Sequence, residues 1–89
     1  MSTPRDLDRL QPVIEAAGFT LVAAHEGAMD SGIAQFSDGR STVKIVRDRS
    51  QWMLSGERPQ LEPFDLWRAY DSTEEFRDAL VRYLDSSKA

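Results

Sequence analysis

The stretch FTLVAAHEGAMDSGIAQFSDGRSTVKIVRDRSQWMLS, from Phe19 to Ser55, decides the fold. Its apolar residues recur at the period of strands, and turn-forming residues interrupt it at Glu26-Gly27, Ser31-Gly32, Ser37-Asp38-Gly39 and Asp48-Arg49-Ser50. Four strands fit between these breaks, near Phe19–His25, Ile33–Phe36, Thr42–Arg47 and Gln51–Ser55. The loops between them are short, so consecutive strands are antiparallel neighbours in a meander. Side chains alternate across a strand, which puts Val43, Ile45 and Arg47 on one face of the third strand and Lys44 and Val46 on the other. Trp52 and Leu54 likewise oppose Met53 in the fourth. One face is the more apolar and needs a cover.

The flanking segments can supply that cover. Upstream, Thr3 suits an N-cap, Pro4 the first helical position and Asp6 the first turn. Leu7, Leu10, Ile14 and Ala17 recur at helical spacing, and Gly18 stands where a left-handed cap is wanted, so a helix is expected from near Pro4 to about Ala17. Pro12 removes a donor and crowds the preceding turn, which predicts a kink or two short pieces meeting at Gln11. Downstream, Gly56, Pro59 and Pro63 make residues 56–63 a crossing loop. Phe64, Leu66, Trp67 and Tyr70 fit a short helical turn, after which Ser72 and Glu75 stand at capping-box spacing beside Asp71. In the helix that follows, Phe76, Leu80, Tyr83 and Leu84 line one side, while Glu74, Asp78, Arg82 and Asp85 look outward; it should end by Ser86. The prediction is one α+β domain over residues 1–89. It is a two-layer sandwich of N-terminal helix, four-stranded antiparallel meander and C-terminal helix, with both helices on one sheet face.

Composition narrows the function. A chain of 89 residues builds one core. With 15 acidic against 11 basic side chains the net charge is −4, which opposes a surface matched to phosphate. There is no cysteine for disulfides, thiol catalysis or metal, and a single histidine cannot form a His-rich zinc site, so no metal or cofactor is expected. No apolar run approaches the roughly 20 residues of a membrane helix, and Met1–Leu10 is charged where a signal peptide is apolar. The expectation is a cytoplasmic protein without membrane contact. His25 beside Glu26 suggests an acid/base pair, but strand neighbours point to opposite faces and no spacing supplies an orienting partner. Asp30, Asp38 and Asp48 read as turn residues, Gly27, Gly32 and Gly39 as turn glycines, and no serine lies in a nucleophile elbow. An enzyme is not expected.

The distribution of charge says more than its total: −4 over residues 1–38, +3 over 39–50 and −3 over 51–89. Arg40, Lys44, Arg47 and Arg49 gather around the third strand with Trp52 just beyond, which suggests a small nucleic-acid or anionic-ligand site as an alternative; a solvated hairpin with Trp52 in the core explains the same residues. The C-terminal third carries acidic groups that suit a basic protein partner. There Glu62, Asp65, Asp71, Glu74, Glu75 and Asp78 would steer encounter, and Trp67 and Tyr70 would be the aromatic anchors if exposed, or core if the segment folds inward. An edge strand of the meander would leave unpaired N–H and C=O groups, a route to dimerisation.

Phe36-Ser37-Asp38-Gly39-Arg40 followed by Val43-Lys44-Ile45-Val46-Arg47-Asp48-Arg49-Ser50-Gln51-Trp52 resembles the central hairpin of small bacterial immunity-type proteins, which are encoded beside secreted toxins. The acidic segment from Asp65 to Leu84 is similar in character, and together they cover about half the chain. The resemblance implies a tight, non-catalytic complex that blocks a toxin enzyme over its active site or at an adjacent surface. It carries no motif that fixes contact residues.

Overall fold

In the computed structural model, which describes residues 4–86, β1 (Thr20–Gly27), β2 (Ser31–Ser37), β3 (Thr42–Asp48) and β4 (Gln51–Ser55) form one antiparallel sheet in that spatial order. β1 continues past His25, and β2 starts already at Ser31, so the first turn is confined to Ala28, Met29 and Asp30. Gly32 therefore lies inside a strand and is not the turn glycine its sequence context implied. It is needed there because the chain at Pro4 crosses it closely: a Cβ on Gly32 would stand 2.9 Å from Pro4 Cγ and 2.6 Å from the His25 carbonyl oxygen.

The N-terminal helical segment is divided as Pro12 requires, into a 3₁₀ turn, Leu7–Arg9, and α1, Gln11–Ala16, with Pro12 in the first turn of α1 where its missing N–H removes no bond. It does not begin near Pro4. Asp6 takes a left-handed conformation, φ 65°, that no helix can run through, and the expected Thr3 cap lies outside the described residues. Gly18, at φ 98°, ends α1 by donating its N–H to the Glu15 carbonyl at 2.9 Å.

Residues 56–63 are not the loop that their prolines implied. Pro59 and Pro63 each sit near the start of a short helical piece, α2 (Arg58–Leu61) and a 3₁₀ turn (Glu62–Phe64), positions where no N–H is needed. Of the helical turn expected from Phe64 to Tyr70, only Phe64 is helical, as the last residue of that 3₁₀ turn, and residues 65–70 form no helix. That segment is irregular and closes as an isolated bridge on β4, with Trp52 and Tyr70 exchanging two backbone hydrogen bonds of 2.8 Å. The Ser72 cap is as expected, its Oγ accepting from the Glu75 N–H at 3.2 Å, and α3 runs Thr73–Ser86.

Alternation then decides the layers. Ala34 and Phe36, Val43 and Ile45, and Trp52 and Leu54 face the helices, and they join Leu7, Leu10, Ile14, Phe76, Leu80 and Leu84 in one core. α1 packs on β1 and α3, and α3 packs on β4, all on the same side of the sheet. Trp52 is fully buried. Its ring stacks on Phe76 at 5.9 Å, and its Nε1–H donates to Thr73 Oγ1 at 3.0 Å.

Arg47 shares that inner face and is only 6 % exposed. Its guanidinium carbon lies 4.5 Å from the Trp52 ring centroid, and Nη2 meets Asp30 Oδ2 at 3.2 Å and Asp6 Oδ2 at 3.8 Å. Asp30 also accepts from Ser50 Oγ at 2.5 Å and, through its carbonyl, from the Ser50 N–H at 3.3 Å. One aspartate thus ties together the tips of both outer hairpins and neutralises the arginine beneath them. Both tips need the tie. Met29, Asp30, Arg49 and Ser50 all have left-handed φ between 50° and 69°, which non-glycine residues adopt at a cost of roughly 1–2 kcal/mol each.

Two consequences are measurable. Thr73→Val keeps the shape of the side chain but leaves the buried Trp52 N–H without an acceptor; urea unfolding should show a loss of about 1–3 kcal/mol, while Thr73→Ser stays close to wild type. The Ser50 hydroxyl, and after it the Arg47 guanidinium, hold the Asp30 carboxyl below its ordinary value of 3.8. The folded state therefore gains from ionised Asp30 above that value and loses the gain as pH falls through the lowered one. The urea midpoint should drop below about pH 4, and Asp30→Asn should make that drop shallower.

Candidate protein-docking site

The sheet has a second face, and no described helix covers it. Because the register is fixed, His25 pairs with Ile33, Ile33 with Val46 and Val46 with Met53, so these four side chains form one row across all four strands on the side away from the core. Ile33 is more than a third exposed. Two shallow hollows share His25 and Ile33. One, of about 240 Å³, extends over Ala23, Gln35 and Lys44, and the other, of about 300 Å³, over Val46 and Met53. A third, of about 220 Å³, begins at Met53 and ends at Trp67 and Arg68. The row is thereby continued past the edge of β4 to the most exposed aromatic side chain, Trp67, at 48 %.

The loop that presents Trp67 is rigidly held. Asp65 adopts φ 59°, Leu66 is buried and donates its N–H to the Leu61 carbonyl at 3.0 Å, and Arg68 clasps Asp65 with two hydrogen bonds of 3.1 and 3.0 Å. The Arg68 guanidinium also lies over the Tyr70 ring, 3.9 Å from its centroid, and the Tyr70 hydroxyl donates to the Asp65 carbonyl oxygen. This bidentate partner, followed by the Tyr70 hydroxyl at 3.1 Å, keeps the Asp65 carboxyl below the ordinary carboxylate value. Burial, and then the bond to Asp65, push the Tyr70 phenol up. The clasp fixes the residues on both sides of Trp67 before any partner arrives, which lowers the ordering entropy of docking.

The acidic residues singled out by charge do not gather around this anchor. Tyr70, the second anchor expected from sequence, is 2 % exposed and belongs to the core. Asp65, Glu75 and Asp78 line one shallow hollow together with Arg68 and Arg82. Glu62 bonds Arg58 at 2.6 Å, Asp71 accepts from the Gln51 amide at 2.8 Å, and Glu74 pairs with Arg9. Most of these acids are neutralised locally, which weakens the steering assigned to them.

The basic cluster is dispersed as well. Trp52, read as a possible base stacker, is wholly internal, and Arg47, read as a phosphate contact or a solvated side chain, is a buried ion-pair member. Arg40 and Arg49 lie at opposite ends of β3, about 20 Å apart at strand rise. Asp38 makes the expected turn, its Oδ1 accepting from the Arg40 and Ser41 N–H groups at 2.8 and 2.7 Å, whereas Asp30 serves as the hairpin tie. His25 and Glu26 lie on opposite sides of β1, and no group of three or more His, Asp or Glu side chains among the described residues could hold a metal ion. No helix among them is long and apolar enough to cross a membrane. The row of Ile33, Val46 and Met53 was visible in sequence only as the less apolar face of each strand. Its junction with Trp67 joins residues remote in the chain and had no sequence signal.

Comparison with protein-family models, with curated proteins and with solved structures gives no match for this chain.

One tryptophan is exposed and the other is in the core, and a quencher reads the difference. In Trp52→Phe, the remaining Trp67 emission should be strongly quenched by iodide; in Trp67→Phe, the remaining Trp52 emission should be nearly insensitive. Trp67→Ala should shift stability by no more than about 0.5 kcal/mol, against about 3–5 kcal/mol for Trp52→Ala.

Proposed function

We propose that this chain is a non-catalytic protein-binding module, an immunity-type inhibitor that neutralises a basic toxin domain by forming a complex with it. The observation that carries the reading is the uncovered row Ile33, Val46 and Met53, continued by Trp67 on a loop locked by Asp65 and Arg68. An aromatic side chain that is exposed and pre-set beside an apolar strip has the properties of an interface anchor. Size sets the extent of the contact. Four strands at about 4.8 Å and five residues at about 3.4 Å give a face on the order of 300 Å², well below the roughly 800 Å² per partner of a stable complex. The partner must therefore reach beyond the sheet, across the Trp67 loop to Glu62, Asp65 and Asp71, with Glu74, Glu75 and Asp78 on α3 adding only the attraction to a basic surface that their local ion pairs leave. The resemblance of the central hairpin to immunity proteins supports the same reading.

The test is affinity capture from the source organism's extract, with the wild-type chain and the Met53→Glu/Trp67→Ala double variant as parallel baits. Wild type should retain a basic protein that the double variant binds at least about 30-fold more weakly, a loss of about 2 kcal/mol. Co-expression of wild type, but not of the variant, should rescue growth when that protein is induced. A captured protein that binds both baits equally would place the contact elsewhere, and one that is harmless when expressed alone would remove the inhibitor reading.

A further inference from the structure

The chain has no asparagine, and of its aspartates only Asp38 precedes a glycine. A glycine has no side chain to shield its backbone nitrogen, so after an aspartate that nitrogen can reach the carboxyl carbon of its own neighbour. The pair stands in the turn between β2 and β3, where both residues are exposed. Apart from its chain neighbours, no heavy atom lies within 4 Å of the point where a Gly39 Cβ would stand, so nothing outside the turn restrains it. The turn itself does. The Gly39 N–H donates to Ser37 Oγ at 3.0 Å, Asp38 Oδ1 accepts from the Arg40 and Ser41 N–H groups at 2.8 and 2.7 Å, and the Asp38 N–H donates to the Ser41 carbonyl at 3.3 Å.

We propose that Asp38–Gly39 is a site of self-modification, where the peptide rearranges to isoaspartate when the turn opens and is protected while the turn stays closed. In the open chain the Gly39 nitrogen attacks the protonated Asp38 carboxyl. The N–Cγ bond forms, the Cγ–OH bond breaks, and the hydroxyl leaves with the amide proton as water, giving a cyclic succinimide. Water then adds back at either ring carbonyl. Addition at Cγ restores aspartate, whereas addition at the backbone carbonyl carbon breaks its bond to the Gly39 nitrogen and leaves the chain running through Cβ and Cγ. No oxidant or cofactor is consumed. In the closed turn the nucleophile is engaged by Ser37, and the carboxyl is held by the N–H groups beyond Gly39. The Ser41 N–H, and after it the Arg40 N–H, also keep that carboxyl below its ordinary value, so less of it carries the proton that the leaving hydroxyl needs. The rearranged link adds one carbon to the backbone of the turn that sets Ser37 against Thr42 and Phe36 against Val43, and so disturbs the register at that end of the hairpin.

The experiment incubates the intact chain in warm neutral buffer, folded and in concentrated guanidinium chloride. Isoaspartate is followed by labelling with an isoaspartyl methyltransferase and by chromatographic separation of the proteolytic peptide that holds residues 38 and 39. Rearrangement in the unfolded chain should run faster than in the folded chain on the order of tenfold or more, since opening the turn breaks several hydrogen bonds. Ser37→Ala, which frees the Gly39 N–H, should speed the reaction of the folded chain about 2–10-fold, the worth of one hydrogen bond. Asp38→Glu, whose longer side chain closes no such ring readily, should remove the signal from that peptide. Equal rates in the folded and unfolded wild-type chain, an unchanged folded-state rate in Ser37→Ala, or a signal undiminished in Asp38→Glu would overturn the assignment. The wild-type comparison decides the matter by itself if a variant fails to fold.

Discussion

Everything in this fold meets at Trp52. Its backbone carries both hydrogen bonds to Tyr70, its ring stacks on Phe76 of α3, its indole N–H is satisfied by Thr73 at the start of that helix, and its face receives the Arg47 guanidinium. A tryptophan buries about 150–250 Å², worth on the order of 4–6 kcal/mol of transfer free energy. That is comparable with the whole net stability of a small domain. The same side chain therefore sets where α3 starts, where the returning segment closes the β4 edge, and which face of the sheet is inside. Once that segment is pinned at Tyr70, the intervening Trp67 is left outside, beside Met53.

Burying Arg47 next to Trp52 has a cost that the neighbouring turns must offset. A guanidinium in the interior needs counter-charge, and its Nε and Nη1 have no hydrogen-bond partner among the described residues. Asp30, with Asp6 more distant, supplies the charge from turns whose residues are held in left-handed conformations. The arginine explains the turns. Met29, Asp30, Arg49 and Ser50 keep an otherwise unfavourable backbone because the tie from Asp30 to Arg47 and Ser50 gives it a fixed partner.

The two sides of the molecule have opposite characters. Behind the sheet, α3 carries carboxylates on its outer surface, several of them paired with neighbouring arginines. In front, the sheet is mostly uncharged and no described helix covers its apolar row. Charge is thus concentrated on one side of the molecule, and an apolar strip with a firmly held aromatic on the other.

Local pattern was enough for the four strands, the break at Pro12, the Gly18 and Ser72 caps and the α+β layering, because alternation, proline chemistry and capping act over a few residues. Alternation even placed Arg47 on the inner face with Val43 and Ile45; average preference for exposed arginine argued the other way, and the Asp30 counter-charge, seventeen positions away, was not visible. The prolines at 59 and 63 were read as breakers, since sequence does not say whether a proline stands at the start of a helical piece or in its middle. For the site, the acidic residues and Trp67 were legible as residue types, but which acids are already paired and which aromatic is outside depend on how the chain between Leu61 and Thr73 returns to β4. Sequence by itself determined the elements and the side each residue takes within them, because those are short-range properties. Only the tertiary structure decided that Tyr70 goes in, Trp67 stays out and one sheet face remains open, because these follow from contacts between segments that meet only when the chain has folded.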